Sequence, residues 1–382
     1  MKPKFKNSFT SIIEKENSVL LLLEDDCLEI SDPDNEFISL INQLDGNQSL
    51  AEIALNLNST EEDVLQIIID LSEHGLVEDQ SHSEQTHLSV QEKERYRSNL
   101  NYFNVFSNLQ NSKYTFQEKL KNSTVTVLGL GGSNTVLSCL AGIGVGNIIG
   151  VDFDEIELSN LNRQFLYNEG NIGRLKTQIA KEELDKMNSN INVQVLNLQI
   201  KNANQLSAIV KNSDLIINSI DQPSILSTRW VNFAAVKHNI PLLQAGTGGR
   251  KLLLQRFMVN SGGCFDCYLI QILKNNPEFE DELRVIYGAK LEGRNTAFAP
   301  NVAFLAGLLS NEAANILCDF SHKENFSKTT EYSSLSLEKV ASSEWHQVDN
   351  CPTCKNMVLT QEPVELDTLI SIAKEEKRGL KI

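Results

Sequence analysis

Hydrophobic and polar positions follow two different patterns along the chain, short irregular segments first and a regular strand–helix alternation later. In the first part, apolar runs at 18–23 and 27–30 predict a β-hairpin, and apolar residues between 37 and 44 predict a helix. Two further helices are predicted to begin at Ser49 and Ser59, the second through a capping-box pattern. These elements predict a small α+β domain with a winged-helix-like shape.

The second part begins with an apolar strand pattern at 124–128, which leads directly into Gly129 and a helix pattern. A second strand, 147–151, ends in Asp152. The same alternation predicts a helix over 176–187, a strand over 193–198, a helix over 204–210 and a strand over 215–218. Repeated alternation of this kind is typical of a Rossmann-like α/β domain with a mostly parallel sheet.

The charge distribution supports this division. The chain has a net charge of −16, and its first 90 residues contribute −15, with 4 basic against 19 acidic residues. The predicted regions are the winged-helix-like domain at 1–85, a linker and helical lead-in at 86–120, the α/β domain at 121–356 and a helical tail at 357–382. A winged helix often binds DNA, but so acidic a domain repels phosphates, so nucleic acid is not an expected partner.

Composition also bears on the compartment. No run of about 18 apolar residues is present, so we expect no membrane-spanning helix and no membrane partner. The N-terminal residues lack the pattern of a signal peptide. Seven cysteines, four of them in two CxxC pairs, favour a reducing compartment with metal binding over a disulfide framework. We therefore expect a cytoplasmic protein.

A glycine-rich loop carries the first candidate chemistry. Gly129, Gly131 and Gly132 stand between a strand and a helix, where backbone N–H groups can approach phosphate oxygens at the helix N-terminus. Asp152 comes 23 positions after Gly129, where a carboxylate can accept hydrogen bonds from a ribose. Nicotinamide-dependent oxidoreductases share this pattern, so it predicts a nucleotide site without deciding the nucleotide.

The residues after Asp152 indicate which kind of nucleotide the site binds. Asn160-Leu-Asn-Arg163-Gln164 follows, and then Lys176. A hydride-transfer enzyme has no obvious use for basic residues beside the ribose carboxylate, whereas a triphosphate requires them. These motifs resemble the ThiF/MoeB/HesA adenylyltransferase family, which includes the adenylating domains of ubiquitin-activating enzymes. The resemblance covers roughly Arg95 to Cys354.

The resemblance implies ATP as the cofactor. The phosphates would bind on the glycine loop and the ribose on Asp152, with Asn160 and Gln164 in the same nucleotide site. Arg163 and Lys176 would be catalytic residues that bind the nucleotide and neutralise the triphosphate. The implied product is an acyl-adenylate, formed with release of pyrophosphate.

Asp221 follows the strand at 215–218, at the strand end where α/β sheets bind ligands. The resemblance implies that it is catalytic and holds Mg²⁺ on the triphosphate, since Mg²⁺ needs only one or two carboxylates besides phosphate oxygens. Taken alone, an aspartate in such a turn also fits a capping role. Arg229 and Asn232, on the next helix, are candidates either for this site or for the helix surface.

Two positions depart from the family pattern. The family arginine that reaches the nucleotide of the partner subunit in a homodimer is replaced by Ser98, and Arg97 stands one place earlier. We expect Arg97 to serve in this role, with a solvated helix start as the alternative. Asn134 stands where the family usually has a small residue, and asparagine tolerates a left-handed backbone and can hydrogen-bond a phosphate.

Two CxxC pairs predict a metal site. Four thiolates from Cys264, Cys267, Cys351 and Cys354 fit tetrahedral Zn²⁺ with no open position, which is a structural site. A redox pair of vicinal thiols is the alternative. The other cysteines lie among apolar residues and are assigned to the core, so none is expected to form a thioester.

The N-terminal domain carries a second resemblance, which bears on the substrate. Its layout resembles the PqqD-like peptide-recognition domains, and the whole chain is most similar to microcin C-type peptide adenylyltransferases. This implies a ribosomally made precursor peptide as partner, its leader adding a strand to the domain's sheet. The alternatives are a ubiquitin-like sulfur carrier as substrate, or a non-catalytic subunit that presents a leader peptide to a cyclodehydratase.

Overall fold

The computed structural model describes residues 1–6, 11–22, 27–289, 296–322, 324, 326–355 and 362–379. The chain divides into two compact units, Met1–Lys119 and Leu120–Ile382. The linker and lead-in predicted at 86–120 therefore falls, up to Lys119, within the first unit. Within the described ranges, no helix is both long enough and apolar enough to cross a membrane.

The first unit is α+β, as predicted. Its elements are β1 (Pro3–Phe5), β2 (Ser11–Glu14), β3 (Ser18–Leu22), β4 (Cys27–Ser31), α1 (Glu36–Gln43), α2 (Leu50–Asn56), α3 (Glu61–Glu73), β5 (Val77–Asp79), α4 (His82–Gln85), α5 (Val90–Arg95), α6 (Arg97–Phe106) and α7 (Lys113–Asn122), whose last residues belong to the second unit. Strands β2, β3 and β4 form an antiparallel sheet, and β1 pairs with β5.

The predicted hairpin is β3–β4, with Leu23 outside the described residues. Helix α2 begins at Ser49 with a complete capping box, whereas the N-cap of α3 is Thr60 and not Ser59. The side chain of Thr60 accepts a hydrogen bond from the Asp63 backbone N–H, which satisfies one of the unpaired donors at the helix start. Strands β1 and β2 were not predicted, because three or four residues give too short a pattern.

The lead-in helices pack within the first unit. Lys113 forms a mostly buried ion pair with Glu78 at 3.0 Å. The buried ammonium of Lys6 donates to the Ser107 carbonyl at 2.5 Å, and the Leu109 N–H donates to the Ser72 hydroxyl. These contacts tie residues 107–113 to the strands and helices of the N-terminal segment.

The second unit is built on one large sheet. Its elements are β6 (Thr124–Leu128), α8 (Asn134–Ile143), β7 (Asn147–Asp152), α9 (Lys176–Met187), β8 (Asn192–Asn197), α10 (Ala203–Val210), β9 (Leu215–Asn218), α11 (Leu226–His238), β10 (Leu242–Gly248), β11 (Lys251–Phe257), α12 (Phe265–Asn275), α13 (Phe279–Ile286), α14 (Ala299–Leu317), β12 (Lys328–Ser333), β13 (Lys339–Glu344) and α15 (Leu366–Gly379). Short 3-10 turns lie at Leu158–Asn160 and Glu169–Asn171.

Among the described residues, the strand order of this sheet is β13-β12-β11-β10-β9-β6-β7-β8. Pairing is parallel from β10 through β8 and antiparallel from β10 to β13. The predicted Rossmann-like, mostly parallel arrangement is thus confirmed. Helices α10, α11, α12 and α15 surround a core that includes Leu128, Val151 and Ile216, and α8 packs with α9 and α14.

The predicted boundaries are close to those observed for α9, β8, α10 and β9, because these elements carry unbroken periodic patterns. The tail predicted at 357–382 contains α15, and its residues 357–361 and 380–382 lie outside the described part of the chain.

Candidate nucleotide site and cysteine cluster

Strand β6 lies between β7 and β9, at the point where the strand order of the parallel sheet reverses. Ligands of α/β sheets bind in the crevice at the carboxyl ends of the strands there. The loop after β6 is the glycine loop, and the turn after β9 leads to Asp221. The topology therefore brings both predicted ligand segments to one place.

The glycine loop is in close contact with three other segments. Gly129 has φ +82°, and a Cβ there would lie 2.9 Å from the Ser219 backbone. A Cβ on Gly131 would lie 2.9 Å from Nε2 of Gln164 and 3.4 Å from Nζ of Lys176. Glycine is required here because the backbone must approach its neighbours closely. Gln164 and Lys176 thus reach the loop from the segment that follows Asp152.

Asp152 anchors the same loop. Its carboxylate accepts hydrogen bonds from the backbone N–H groups of Leu130 at 2.6 Å, Phe153 at 2.7 Å and Asp154 at 2.9 Å. A carboxylate has about four lone-pair positions, so about one remains for a ligand hydroxyl. This geometry suits a residue that fixes the loop and also binds a ribose.

Lys176 is a nearly buried cation beside the phosphate loop. Its ammonium pairs with Asp154 at 2.8 Å, and its side chain is 7% exposed against 49% for Asp154. Because Asp154 is largely hydrated, this pair does not fully neutralise the ammonium. An anion on the glycine loop would find a positive charge already in position.

The motif around Arg163 is held by side chains of its own segment. The Arg163 guanidinium donates to the Ser159 carbonyl and to Oδ1 of Asn162, both at 2.9 Å. Asn160 caps the turn by accepting from the Glu157 N–H at 3.2 Å. The structure therefore places Arg163 and Asn160 in the loop bordering the site, with the guanidinium folded onto its own turn.

Asn134 is fully buried and joins two loops. Its amide nitrogen donates to the Gly131 carbonyl at 2.8 Å and to the Arg163 carbonyl at 3.4 Å, and its oxygen accepts from the Leu166 N–H at 3.3 Å. The protein itself thus engages the amide group that could otherwise hydrogen-bond a phosphate. The departure from a small residue has a structural reason, since this side chain connects the glycine loop to the Arg163 segment.

Tyr167 was not found from the sequence. Its hydroxyl donates to the Leu130 carbonyl at 3.1 Å, beneath the glycine loop. Burial, and then the negative charge of Asp152, raise the pKa of Tyr167, which keeps the hydroxyl protonated as a donor. A single tyrosine without a motif gives no sequence signal for this role.

Asp221 is exposed in the turn after β9, and within the described residues its carboxylate forms no hydrogen bond or ion pair. An unengaged carboxylate at the switch point fits a Mg²⁺ ligand, because Mg²⁺ prefers a carboxylate together with phosphate oxygens. Arg97 lies in the other unit, where it pairs with Glu94 at 3.2 Å on the surface. Its predicted role at the nucleotide of a partner subunit stays a prediction.

A row of polar side chains crosses the sheet from β9. Asn218 donates to Gln244 at 3.0 Å, Gln244 donates to Gln255, and Gln255 donates to the Thr329 hydroxyl at 3.1 Å. The indole N–H of Trp345 donates to the same hydroxyl at 3.0 Å. We call these five residues the amide row. It links the strand before Asp221 to the residues that precede the second CxxC pair.

The four predicted zinc ligands form one cluster. The sulfur atoms of Cys264, Cys267, Cys351 and Cys354 lie within 4.8 Å of one another, with Cys264 to Cys351 at 3.7 Å and Cys267 to Cys354 at 3.5 Å. Tetrahedral zinc with bonds of about 2.3 Å requires sulfur separations of about 3.8 Å. The cluster fits a zinc ion, and its four thiolates would fill a tetrahedral coordination sphere with no open position, as expected of a structural site.

Arg229 and Asn232 are both fully buried, so the helix-surface role considered for them is wrong, and their contacts are with this cluster. Arg229 is fully buried and pairs with Asp266 between the first two cysteines, Nε to Oδ1 at 2.8 Å. Asp266 also accepts from Thr353, in the second CxxC pair, at 2.7 Å. The buried Asn232 accepts from the Phe265 N–H at 3.0 Å. Helix polarity patterns cannot reveal a charge buried against a distant loop.

Comparison with known proteins is consistent with this arrangement. A sequence profile of the ThiF family matches residues 98–353, which is more than half of the chain. The chain belongs to the ThiF family. This confirms the resemblance first seen in the residues from Asn160 to Gln164 and in the glycine loop.

Curated relatives match part of this ThiF-family chain. The SUMO-activating enzyme subunit 2 of Dictyostelium discoideum is 34% identical over 160 residues, which are 41% of this chain and 24% of that protein. Adenylyltransferase and sulfurtransferase MOCS3 of Culex quinquefasciatus is 35% identical over 153 residues, 40% of this chain and 34% of that protein. The chain spans only about a quarter to a third of the length of these relatives.

Solved structures match nearly the whole chain at lower identity. E. coli MccB superposes with a TM-score of 0.73 and 23% identity, covering 96% of this chain and 100% of that chain. PaaA superposes with a TM-score of 0.67 and 21% identity, covering 90% and 100%. At this identity the likeness establishes a shared fold, and it extends across most of both units.

Proposed function

We propose that this ThiF-family protein adenylates a carboxylate of a ribosomally made peptide, using ATP and releasing pyrophosphate. The observation that carries the proposal is the convergence at the switch point of the glycine loop, Asp152, Lys176 and the turn leading to Asp221. This set can hold a ribose, three phosphates and Mg²⁺. Relatives named adenylyltransferases support the same reaction class.

The chemistry needs positioning and charge more than covalent catalysis. Backbone N–H groups of the glycine loop and the ammonium of Lys176 stabilise negative charge on the phosphates. Mg²⁺, held by Asp221, would offset the charge of the leaving pyrophosphate. The peptide carboxylate oxygen then attacks the α-phosphorus as the bond to pyrophosphate breaks. In this proposal Arg163 leaves its own turn to contact the triphosphate once the nucleotide binds.

A peptide substrate is favoured by the extent of the structural likeness. Crystal structures of MccB include complexes with AMPCPP and MccA and with N-formylated MccA, and MccB is described as a microcin C7 biosynthetic enzyme. The superposition covers 93% of this chain, so it includes most of the first unit. We propose that this unit binds a leader peptide on an edge of the β2-β3-β4 sheet, its acidic residues selecting a basic segment.

We further propose a cytoplasmic homodimer in which Arg97 reaches the nucleotide of the partner subunit, with zinc held by the four cysteines. The reduced cysteine cluster suits a reducing compartment. A ubiquitin-like protein is the second candidate substrate. It is favoured by the higher identity, 34–35%, to a SUMO-activating enzyme subunit and to MOCS3.

ATP–pyrophosphate exchange tests the proposal, measured with synthetic short peptides, with a ubiquitin-like protein ending in Gly-Gly, and with no acceptor. Asp221→Asn should abolish peptide-dependent exchange. Asp214→Asn is the matched control, because Asp214 stands at the opposite end of β9, where it accepts from the Thr124 N–H at 2.8 Å. Exchange only with the ubiquitin-like protein would establish the second candidate. Tight peptide binding without exchange would indicate a non-catalytic docking subunit.

A further inference from the structure

The turn after β9 is fastened directly to the glycine loop. Ser133, which is fully buried at the end of that loop, shares a hydrogen bond with the hydroxyl of Ser219. A Cβ on Gly132 would lie 3.4 Å from Cβ of Ser219, and Gly129 packs against the Ser219 backbone. Ser219 is therefore held by three residues of the loop that we propose to bind the phosphates.

The other side of the same turn is held by the amide row. The side chain of Asn218, which is 3% exposed, accepts from the Ile220 N–H at 3.0 Å and donates to Gln244 at 3.0 Å. Backbone positions 219 and 220 are thus fixed from both sides. Asp221 is the next residue, and because its carboxylate is unengaged within the described residues, its place depends on the backbone that carries it.

Mg²⁺ makes this placement critical. Mg²⁺ requires near-ideal octahedral geometry with bonds of about 2.0–2.1 Å, so a site that held it through Asp221 would tolerate little displacement of that carboxylate. The glycine loop would hold the phosphates, and the 219–221 turn positions the carboxylate. Any contact that sets the separation of these two segments also sets the quality of the metal site.

We propose that Ser133 and Ser219 are positioning residues whose hydroxyl pair sets the separation between the phosphate-binding loop and the Mg²⁺ ligand Asp221. The inference rests on the proposed nucleotide site. Neither hydroxyl need touch the nucleotide, since each is engaged by the other. The pair acts through the backbone on Asp221.

The chain provides a matched control in a second hydroxyl pair. Thr126 and Ser213 are both buried, and their hydroxyl oxygens lie 2.6 Å apart. Ser213 precedes β9, whereas Ser219 follows it, so the two pairs lie at opposite ends of one strand. Removing the Ser219 or the Ser213 hydroxyl deletes one hydrogen bond between two hydroxyl groups, and only Ser219 adjoins the carboxyl end of the strand.

The experiment compares Ser133→Ala, Ser219→Ala, the double variant and Ser213→Ala in the full-length protein. ATP affinity is measured by calorimetry across a Mg²⁺ titration and in EDTA, with melting temperature recorded for each variant. We expect Ser133→Ala and Ser219→Ala each to raise the Mg²⁺ concentration for half-maximal ATP binding by about tenfold, the scale of one hydrogen bond. Their ATP affinity in EDTA should stay unchanged.

The double variant should be no worse than either single one, because both remove one shared interaction. Ser213→Ala should lower the melting temperature similarly and keep the wild-type Mg²⁺ dependence. Unchanged Mg²⁺ dependence in both single variants, or an equal shift in Ser213→Ala, would overturn the inference. ATP binding can be measured without a peptide, so this test is separate from the test of the proposed reaction. If the wild-type protein binds ATP in a Mg²⁺-dependent way but catalyses no pyrophosphate exchange, the proposed adenylation is refuted. The Mg²⁺ dependence of the serine variants then still decides the positioning role of Ser133 and Ser219.

Discussion

Replacing Asp266 with asparagine tests whether the ion pair between Asp266, in the first CxxC pair, and Arg229, on α11, stabilises the cysteine cluster. The Asp266 carboxylate accepts from Nε and Nη2 of Arg229 at 2.8 and 3.2 Å and from Thr353 at 2.7 Å. The Arg229 and Asp266 side chains are 0% and 1% exposed. Asp266→Asn is nearly isosteric, so it removes the charge while leaving the volume of the site unchanged.

The expected loss of stability in Asp266→Asn follows from the burial of the Arg229 guanidinium, which keeps its charge. Breaking a buried ion pair on one side costs about 3–5 kcal/mol, because the other charge stays in a poorly solvated place. Arg229 keeps two acceptors, the Tyr287 hydroxyl at 2.6 Å and the Val364 carbonyl at 2.8 Å, so we expect the lower end, about 3 kcal/mol. For a unit of this size that corresponds to a fall in melting temperature of roughly 6–12 °C.

The assay is urea unfolding of the zinc-loaded protein, with zinc release followed by a chromogenic chelator. Asp367→Asn is the control, because Asp367 pairs with Arg284 at 2.7 Å on the surface, with side chains 78% and 44% exposed. It should change the free energy of unfolding by less than about 1 kcal/mol. Arg229→Met combined with Asp266→Leu should recover part of the loss. Asp266→Asn with the stability and zinc retention of Asp367→Asn would refute the reasoning.

Two further predictions concern one residue in each unit. Burial lowers the pKa of Lys6 from 10.5 to about 8, so the unfolded chain binds this proton more tightly than the folded one. The free energy of unfolding contributed by Lys6 should therefore rise from pH 8 to 10.5, and Lys6→Met should remove that rise in urea denaturation. Gly129→Ala should lower the free energy of unfolding by about 2 kcal/mol or more and weaken ATP binding. The reason is that φ at this position is +82° and the added Cβ would lie 2.9 Å from the Ser219 backbone. Gly173→Ala is the control, because φ is +81° there and nothing lies close to the added Cβ. It should lower the free energy of unfolding only by the backbone strain and leave the ATP affinity unchanged.

The sequence predicts best those parts of the site that depend on local spacing. The strand and glycine loop before Asp152 belong to one continuous βαβ pattern, which predicts a nucleotide site. The two CxxC pairs are a short motif that predicts a metal site. Each signal lies within about 25 residues or within a short motif. The fold then brings the glycine loop and the turn leading to Asp221 together through the strand order of a parallel sheet, which the alternation of elements also predicts.

What the sequence does not reveal depends on contacts between residues far apart in the chain. Ser133 and Ser219 are ordinary turn residues until the sheet brings their loops together. Arg229 looks like a helix-surface residue, yet it pairs with Asp266, because the first CxxC pair packs on α11. In the sequence, Asn134 is only a position where the family usually has a smaller residue. Its hydrogen bonds to Gly131 and to the Arg163 carbonyl show why an amide stands there.

The amide row has a consequence for sequence variation. Each amide in it donates to the next oxygen, from Asn218 through Gln244 and Gln255 to Thr329, so all of them must be oriented in the same direction. A carboxylate at one position would remove a donor and leave the following acceptor unpaired. Substitutions along the row should therefore be tolerated only in combination, and these positions should change together when related sequences are aligned.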